Sequence, residues 1–149
     1  VGLLGPNFTA AHAIWLDDDD LARLADHGCT VAHNPGSNLK LGSGIAVTRK
    51  MRDLGIAFGV GTDGCLSSDN LNMFEAMRLA ACVSRVQGPD LRQWLTAADA
   101  FEAATIGGAR ALGMEKTIGR LEAGYKADIV FLDLTSINYI PMNDPLLNV

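Results

Sequence analysis

The stretch Ile56-Ala-Phe-Gly-Val-Gly-Thr-Asp-Gly64 runs a short apolar segment directly into an acid flanked by glycines. Ile56 to Gly61 has the length and composition of a buried strand, with Gly55 before it as punctuation. Two earlier stretches have the same texture: Cys29 to His33, halted by Asn34-Pro35-Gly36, and Phe8 to His12, which follows the turn signal Gly5-Pro6-Asn7. Helical patterns separate them. Asp17 to Asp20 place negative charge where a helix N-terminus favours it, Leu21, Leu24 and Ala25 recur at helical spacing, and Gly28 closes the segment. Gly36 to Gly44 reads as a glycine- and serine-bearing loop, and Ala46 to Leu54 as a helix ended by Gly55. After the third strand, Asp69 is the expected N-cap of a long helix reaching Gln87, with Met73, Met77, Ala80, Ala81 and Ser84 on one face. Strand and helix alternating in this way imply parallel strands joined by right-handed crossovers, an α/β architecture.

Further on, Thr96 to Leu112 reads as two short helices broken near Gly107-Gly108. The texture then changes. Ile118 to Leu134 is punctuated by glycine and ends in Ala127-Asp-Ile-Val-Phe-Leu-Asp-Leu134, expected to be a β-strand of a different sheet. A boundary is therefore placed near residue 115, dividing the chain into 1–115 and 116–149.

Composition narrows the function. With 149 residues, 48% of them hydrophobic, the chain can hold a real core. Seventeen acidic against 12 basic residues, a net charge of -5 and no clustered basic face argue against a nucleic-acid partner. Apolar stretches are short and interrupted by charge, so neither a membrane span nor a signal segment is expected. Three cysteines, Cys29, Cys65 and Cys82, form no Cys-x-x-Cys pair and fit a reducing, cytoplasmic setting. The start at Val1 suggests a piece of a longer chain.

His12, His33 and Asp63 stand at the C-terminal ends of the three expected strands, the edge where parallel α/β folds assemble their sites. Asp63 is the strongest of them. An ionisable residue directly after a buried apolar strand is costly without a partner, and a bound cation is the obvious one.

Taken together, four segments resemble the amidohydrolase superfamily. They are Thr9-Ala-Ala-His-Ala-Ile-Trp-Leu-Asp-Asp-Asp-Asp-Leu21, Val31-Ala-His-Asn-Pro-Gly-Ser-Asn-Leu-Lys-Leu-Gly-Ser-Gly44, Gly61-Thr-Asp-Gly64 with Ser67 to Arg78, and Ile118-Gly-Arg-Leu-Glu-Ala-Gly-Tyr-Lys-Ala-Asp-Ile-Val130. The branch they resemble holds S-adenosylhomocysteine/methylthioadenosine, guanine and pterin deaminases and triazine hydrolases. The resemblance implies a TIM-type (β/α)8 barrel, with this chain carrying about strands 6 to 8 and part of a small β-sandwich domain. It also implies one divalent metal, zinc or alternatively iron. Asp63 would be a metal ligand that takes a proton from the activated water. His12 would hydrogen-bond the attacking hydroxide or the substrate, or in some members join the metal. The family's His-x-His pair, further His and nearby Glu have no counterpart among His12, His27 and His33. A barrel of this type needs about 250 residues, so the chain is expected to be a fragment, inactive on its own.

The implied activity is hydrolytic deamination of an amino-substituted heterocycle of adenosine, guanine or pterin type. The alternatives are a triazine hydrolase releasing chloride or amine, or a truncated homologue without catalysis. The small heterocyclic substrate is the expected partner, within a homo-oligomer. Among the remaining residues, His33 is expected to anchor its loop and His27 to cap a helix end. Cys65 is the weaker reading of a nucleophile. The Gly36–Gly44 loop lacks the Gly-Lys-Ser/Thr ending of a phosphate cradle. Met73 and Met77 are expected to face the core.

Overall fold

The computed structural model describes residues 2–148, with side-chain surroundings described as far as residue 147. Three strands, β1 (Thr9–Ala11), β2 (Thr30–His33) and β3 (Ala57–Val60), lie side by side in chain order. Both pairings are parallel, with Thr9 opposite Thr30 and Thr30 opposite Ala57. Each strand therefore ends at the same edge of the sheet, which carries His12, His33 and Gly61 onward.

Helix α1 (Asp18–Asp26) crosses from β1 to β2. Asp17 caps it by accepting the Asp20 amide at 2.9 Å, and Leu21 and Leu24 are buried on its inner face, as the sequence pattern requires. Between β2 and β3 lie α2 (Pro35–Lys40) and α3 (Thr48–Asp53). The first of these occupies much of what the sequence marks as a loop. Pro35 stands at a helix start, where its fixed φ and missing N–H cost nothing, and the turn closes through Asn38 N–H to Asn34 O at 3.0 Å. Val31, Met51, Leu21 and Ala80 are fully buried in the core shared by the sheet and its helices.

After β3 come a single turn, α4 (Cys65–Ser68), and the long helix α5 (Met73–Arg85). Asn72, not Asp69, is the N-cap of α5, its side chain accepting from Phe74 N–H at 3.0 Å and Glu75 N–H at 3.3 Å. Asp69 instead ends α4 in the left-handed conformation and pairs with Lys40. Met77, Ala80, Ala81 and Ser84 are buried on α5 and Met73 is half-buried, in line with the expected face.

The glycine pair Gly107-Gly108 does not break the last helical region. Helix α6 (Ala97–Glu102) opens with a Thr96/Asp99 capping box and passes through a π-helical turn, Ala103–Gly107, into α7 (Gly108–Ala111). Both glycines keep helical φ angles, and their role is close approach to β3. A Cβ on Gly107 would lie 2.4 Å from the Phe58 carbonyl oxygen, and one on Gly59 would lie 2.7 Å from Gly108 Cα.

The expected strand at 127–134 is not formed: among the described residues this segment belongs to no sheet. A strand needs a hydrogen-bonded neighbour, and none of the described segments supplies one. Val130 and Phe131 are exposed, the latter by 89%. The described residues after 115 therefore form no sandwich of their own, but a 3-10 turn, Ile137–Tyr139, and a single-turn helix, α8 (Pro145–Asn148). No helix among the described residues is long and apolar enough to cross a membrane.

Candidate functional site

Strand β1 ends in a sharp turn. His12 N–H still bonds Ala32 O across the sheet at 2.8 Å, but His12 has φ +66° and Ala13 φ +47°, and Ala13 N–H turns back to Ala11 O. Asp63, just past β3, has φ +59°. Left-handed backbone at a residue other than glycine costs on the order of 1–3 kcal/mol and clusters where side-chain placement matters. Here it occurs at His12 and Asp63, two of the three strand-end residues singled out as chemical, and not at His33. His12 and Asp63 come from the outer strands and meet over the end of β2, with His12 Nε2 3.9 Å from Asp63 Oδ2. Both side chains remain partly open to solvent.

The surroundings polarise the pair. Asp63 is held below the usual carboxylate range, first by the Ser37 hydroxyl and next by the Gly64 N–H, which donates to Oδ1 at 2.8 Å; His12 adds to this, and partial desolvation opposes it. Ser37 Oγ is fully buried and closes no hydrogen bond of regular geometry among the described residues, so its influence on the carboxylate is that of a nearby hydroxyl dipole. His12 Nδ1 lies 2.8 Å from the side-chain oxygen of Asn38, a buried residue of α2. A carboxamide oxygen only accepts, so the ring donates from Nδ1, and in the neutral imidazole that puts the lone pair on Nε2. The Nε2 position and the Asp63 carboxylate oxygen, 3.9 Å apart and both partly open to solvent, are close enough for one proton or cation to be shared between them.

His33, expected as a loop anchor near the site, sits beneath it. The ring is 1% exposed, neither nitrogen has a hydrogen-bond partner among the described residues, and burial, with the nearby His12, depresses its pKa from 6.5 to about 4. It is a neutral imidazole at ordinary pH. His27 caps α1 as expected, its Nδ1 donating to Arg23 O at 2.8 Å. Cys65 is exposed at the start of α4, and all three cysteines are free thiols. The sequence pattern offers Ser37 and Asn38 only as polar members of a loop that falls short of a phosphate cradle; their burial beside the site follows from α2 folding where a loop is expected.

An imidazole nitrogen and a carboxylate oxygen on one open edge are suitable donors for a divalent cation such as zinc. They form only part of a set. No group of three or more His, Cys, Asp or Glu is gathered among the described residues, whereas a catalytic zinc takes about three protein ligands plus water.

Comparison with known proteins points the same way. A 5-methylthioadenosine/S-adenosylhomocysteine deaminase of Thermococcus onnurineus is 42% identical over 147 residues, covering 97% of this chain and 33% of that protein. An adenosine deaminase from Xanthomonas campestris, solved with bound zinc, superposes with a TM-score of 0.91 at 37% identity, covering 97% of this chain and 33% of its own. An atrazine chlorohydrolase from Arthrobacter aurescens in complex with zinc gives 0.90 at 34% identity over 95% of this chain and 31% of its own. The chain thus spans about a third of the length of the relatives it matches. The amidohydrolase family pattern matches residues 1–148, so that nearly the whole sequence, and with it the edge carrying His12 and Asp63, is accounted for: the chain belongs to the amidohydrolase family.

Proposed function

We propose that this chain is part of a metal-dependent hydrolytic deaminase acting on an adenosine-type heterocycle, and that Asp63 and His12 are its catalytic residues. The observation that carries the reading is the convergence of His12 Nε2 and Asp63 Oδ2 to 3.9 Å, each on left-handed backbone at the end of a parallel strand. In this reading β1, β2 and β3 are strands 6 to 8 of an eight-stranded barrel. Residues 1–115 belong to that barrel and 116–149 to a small β-sandwich. The exposed Val130 and Phe131 suit a strand whose sheet neighbours lie outside the chain. A reducing cytoplasm, consistent with three free thiols, and a homo-oligomer complete the proposal.

A divalent metal, zinc as in the neighbouring structures or iron, would be held by Asp63 together with donors from outside this chain, and would bring the pKa of water from 15.7 to about 7. Asp63 holds its charge to lower pH than an ordinary carboxyl, so it is ionised at neutral pH, and its Oδ2 is the acceptor for the proton released as the attacking oxygen forms. His12 turns Nε2 to the same point, where it orients that oxygen or the substrate. The new carbon–oxygen bond forms at the ring carbon bearing the amino group. The carbon–nitrogen bond then breaks, and ammonia departs carrying the proton.

The test is ammonia release by the full-length protein loaded with one equivalent of zinc, on adenosine-type, guanine-type and pterin-type substrates. Turnover of an adenosine-type compound is expected. Chloride or alkylamine release from a triazine, without ammonia from nucleosides, would favour the alternative suggested by the atrazine chlorohydrolase neighbour. No turnover of any heterocycle by a zinc-replete protein would point to a non-catalytic homologue.

A further inference from the structure

We propose that Asn38 is the positioning residue of the site: it fixes His12 in the Nδ1–H tautomer and aims the Nε2 lone pair at the space in front of Asp63. Asn38 is 2% exposed, and its backbone is tied on both sides. Its N–H donates to Asn34 O at 3.0 Å, and its own carbonyl accepts from Ser43 N–H at 2.9 Å. The side chain therefore starts from a fixed anchor. Its oxygen meets His12 Nδ1 at 2.8 Å, the one hydrogen bond of that ring among the described residues.

The other end of the amide makes the case. Asn38 Nδ2 is buried with no hydrogen-bond partner among the described residues, a condition that costs about 1–3 kcal/mol. An apolar residue of the same size would avoid that cost and fill the same space. Keeping an amide there makes sense if its oxygen is needed. The left-handed turn at His12 brings the ring over the end of β2, and Asn38 stops it from rotating about its bond to the backbone or exchanging its proton to Nε2. With the proton on Nε2 instead, the ring would offer Asp63 a donor and could neither accept a bond from an attacking water nor bind a cation.

Only the predicted effect on rate rests on the deaminase reading above; the tautomer does not. The experiment uses the full-length protein labelled with 15N-histidine, the His12 signals being identified by their loss in His12→Gln. The expected spectrum shows a pyrrole-type, protonated Nδ1 in the parent and in Asn38→Asp, which keeps an acceptor oxygen, and a mixture of tautomers in Asn38→Leu. In turnover, Asn38→Leu should lose ~10- to 100-fold in kcat with zinc content and KM close to the parent, and Asn38→Asp should recover most of that loss. A proton on Nε2 in the parent would overturn the proposal, as would an Asn38→Leu protein with unchanged tautomer and kcat. Should Asn38→Leu not fold, the parent spectrum decides alone. A protonated Nδ1 in a parent that deaminates nothing would support the role of Asn38 while contradicting the deaminase reading.

Discussion

Acid should destabilise this protein through His33 before most of its carboxylates titrate. Burial holds the ring neutral, with a folded-state pKa of about 4 against an ordinary value of 6.5. The unfolded chain therefore takes up a proton at a pH where the folded chain does not. Stability from this group is complete above pH 6.5, falls progressively as pH drops, and is fully lost below about 4. The gap corresponds to about 3 kcal/mol, lost at roughly 1.4 kcal/mol per pH unit in the steep part. His33→Leu removes both the titration and two ring nitrogens that have no partner among the described residues, so at pH 7 it should cost little or even stabilise. Urea unfolding of the full-length parent and variant at half-unit steps from pH 7.5 to 4 measures the difference directly, because the other histidines and the carboxylates are common to both. The parent should lose about 3 kcal/mol more than the variant over that range. Parallel curves would refute the reasoning, showing that His33 finds a hydrogen-bond partner or water that lets it charge in place.

Two further outcomes follow from the geometry. Gly107→Ala would set a methyl 2.4 Å from the Phe58 carbonyl oxygen, forcing the π-helical turn away from β3; about 1–3 kcal/mol of stability, or more, should be lost in thermal or urea unfolding. His12→Asn should retain zinc by elemental analysis while losing ~100- to 10,000-fold in rate, and loss of the metal along with the rate would move His12 among the ligands.

Much of this architecture is legible in the sequence because each strand is short, apolar and ended by a polar group. Phe8 to His12, Cys29 to His33 and Ile56 to Gly61 all contain strands close to where the pattern puts them, and α1 starts where Asp17 can cap it. The convergence of His12 and Asp63 follows, since parallel strands carry their C-terminal residues to one edge. Other features depend on contacts that spacing does not encode. Pro35-Gly36-Ser37-Asn38 has the composition of a turn, yet the helical start suited to Pro35 wins, and that choice buries Ser37 and Asn38 beside the site. Gly107-Gly108 looks like a breaker until β3 is laid against it. The alternation in 127–134 expresses a strand's periodicity, but periodicity forms no ladder without a neighbouring strand.

The central claim, that Asp63 serves both as metal ligand and as proton acceptor, is tested most directly by Asp63→Asn in the full-length protein, with zinc stoichiometry and ammonia release measured on the same preparation. Amide oxygen is a weaker ligand than carboxylate and accepts no proton at neutral pH, so both readouts should fall together: zinc well below one equivalent, and turnover lower by at least ~100- to 10,000-fold. A variant that holds a full equivalent of zinc and deaminates at close to the parent rate would contradict the account.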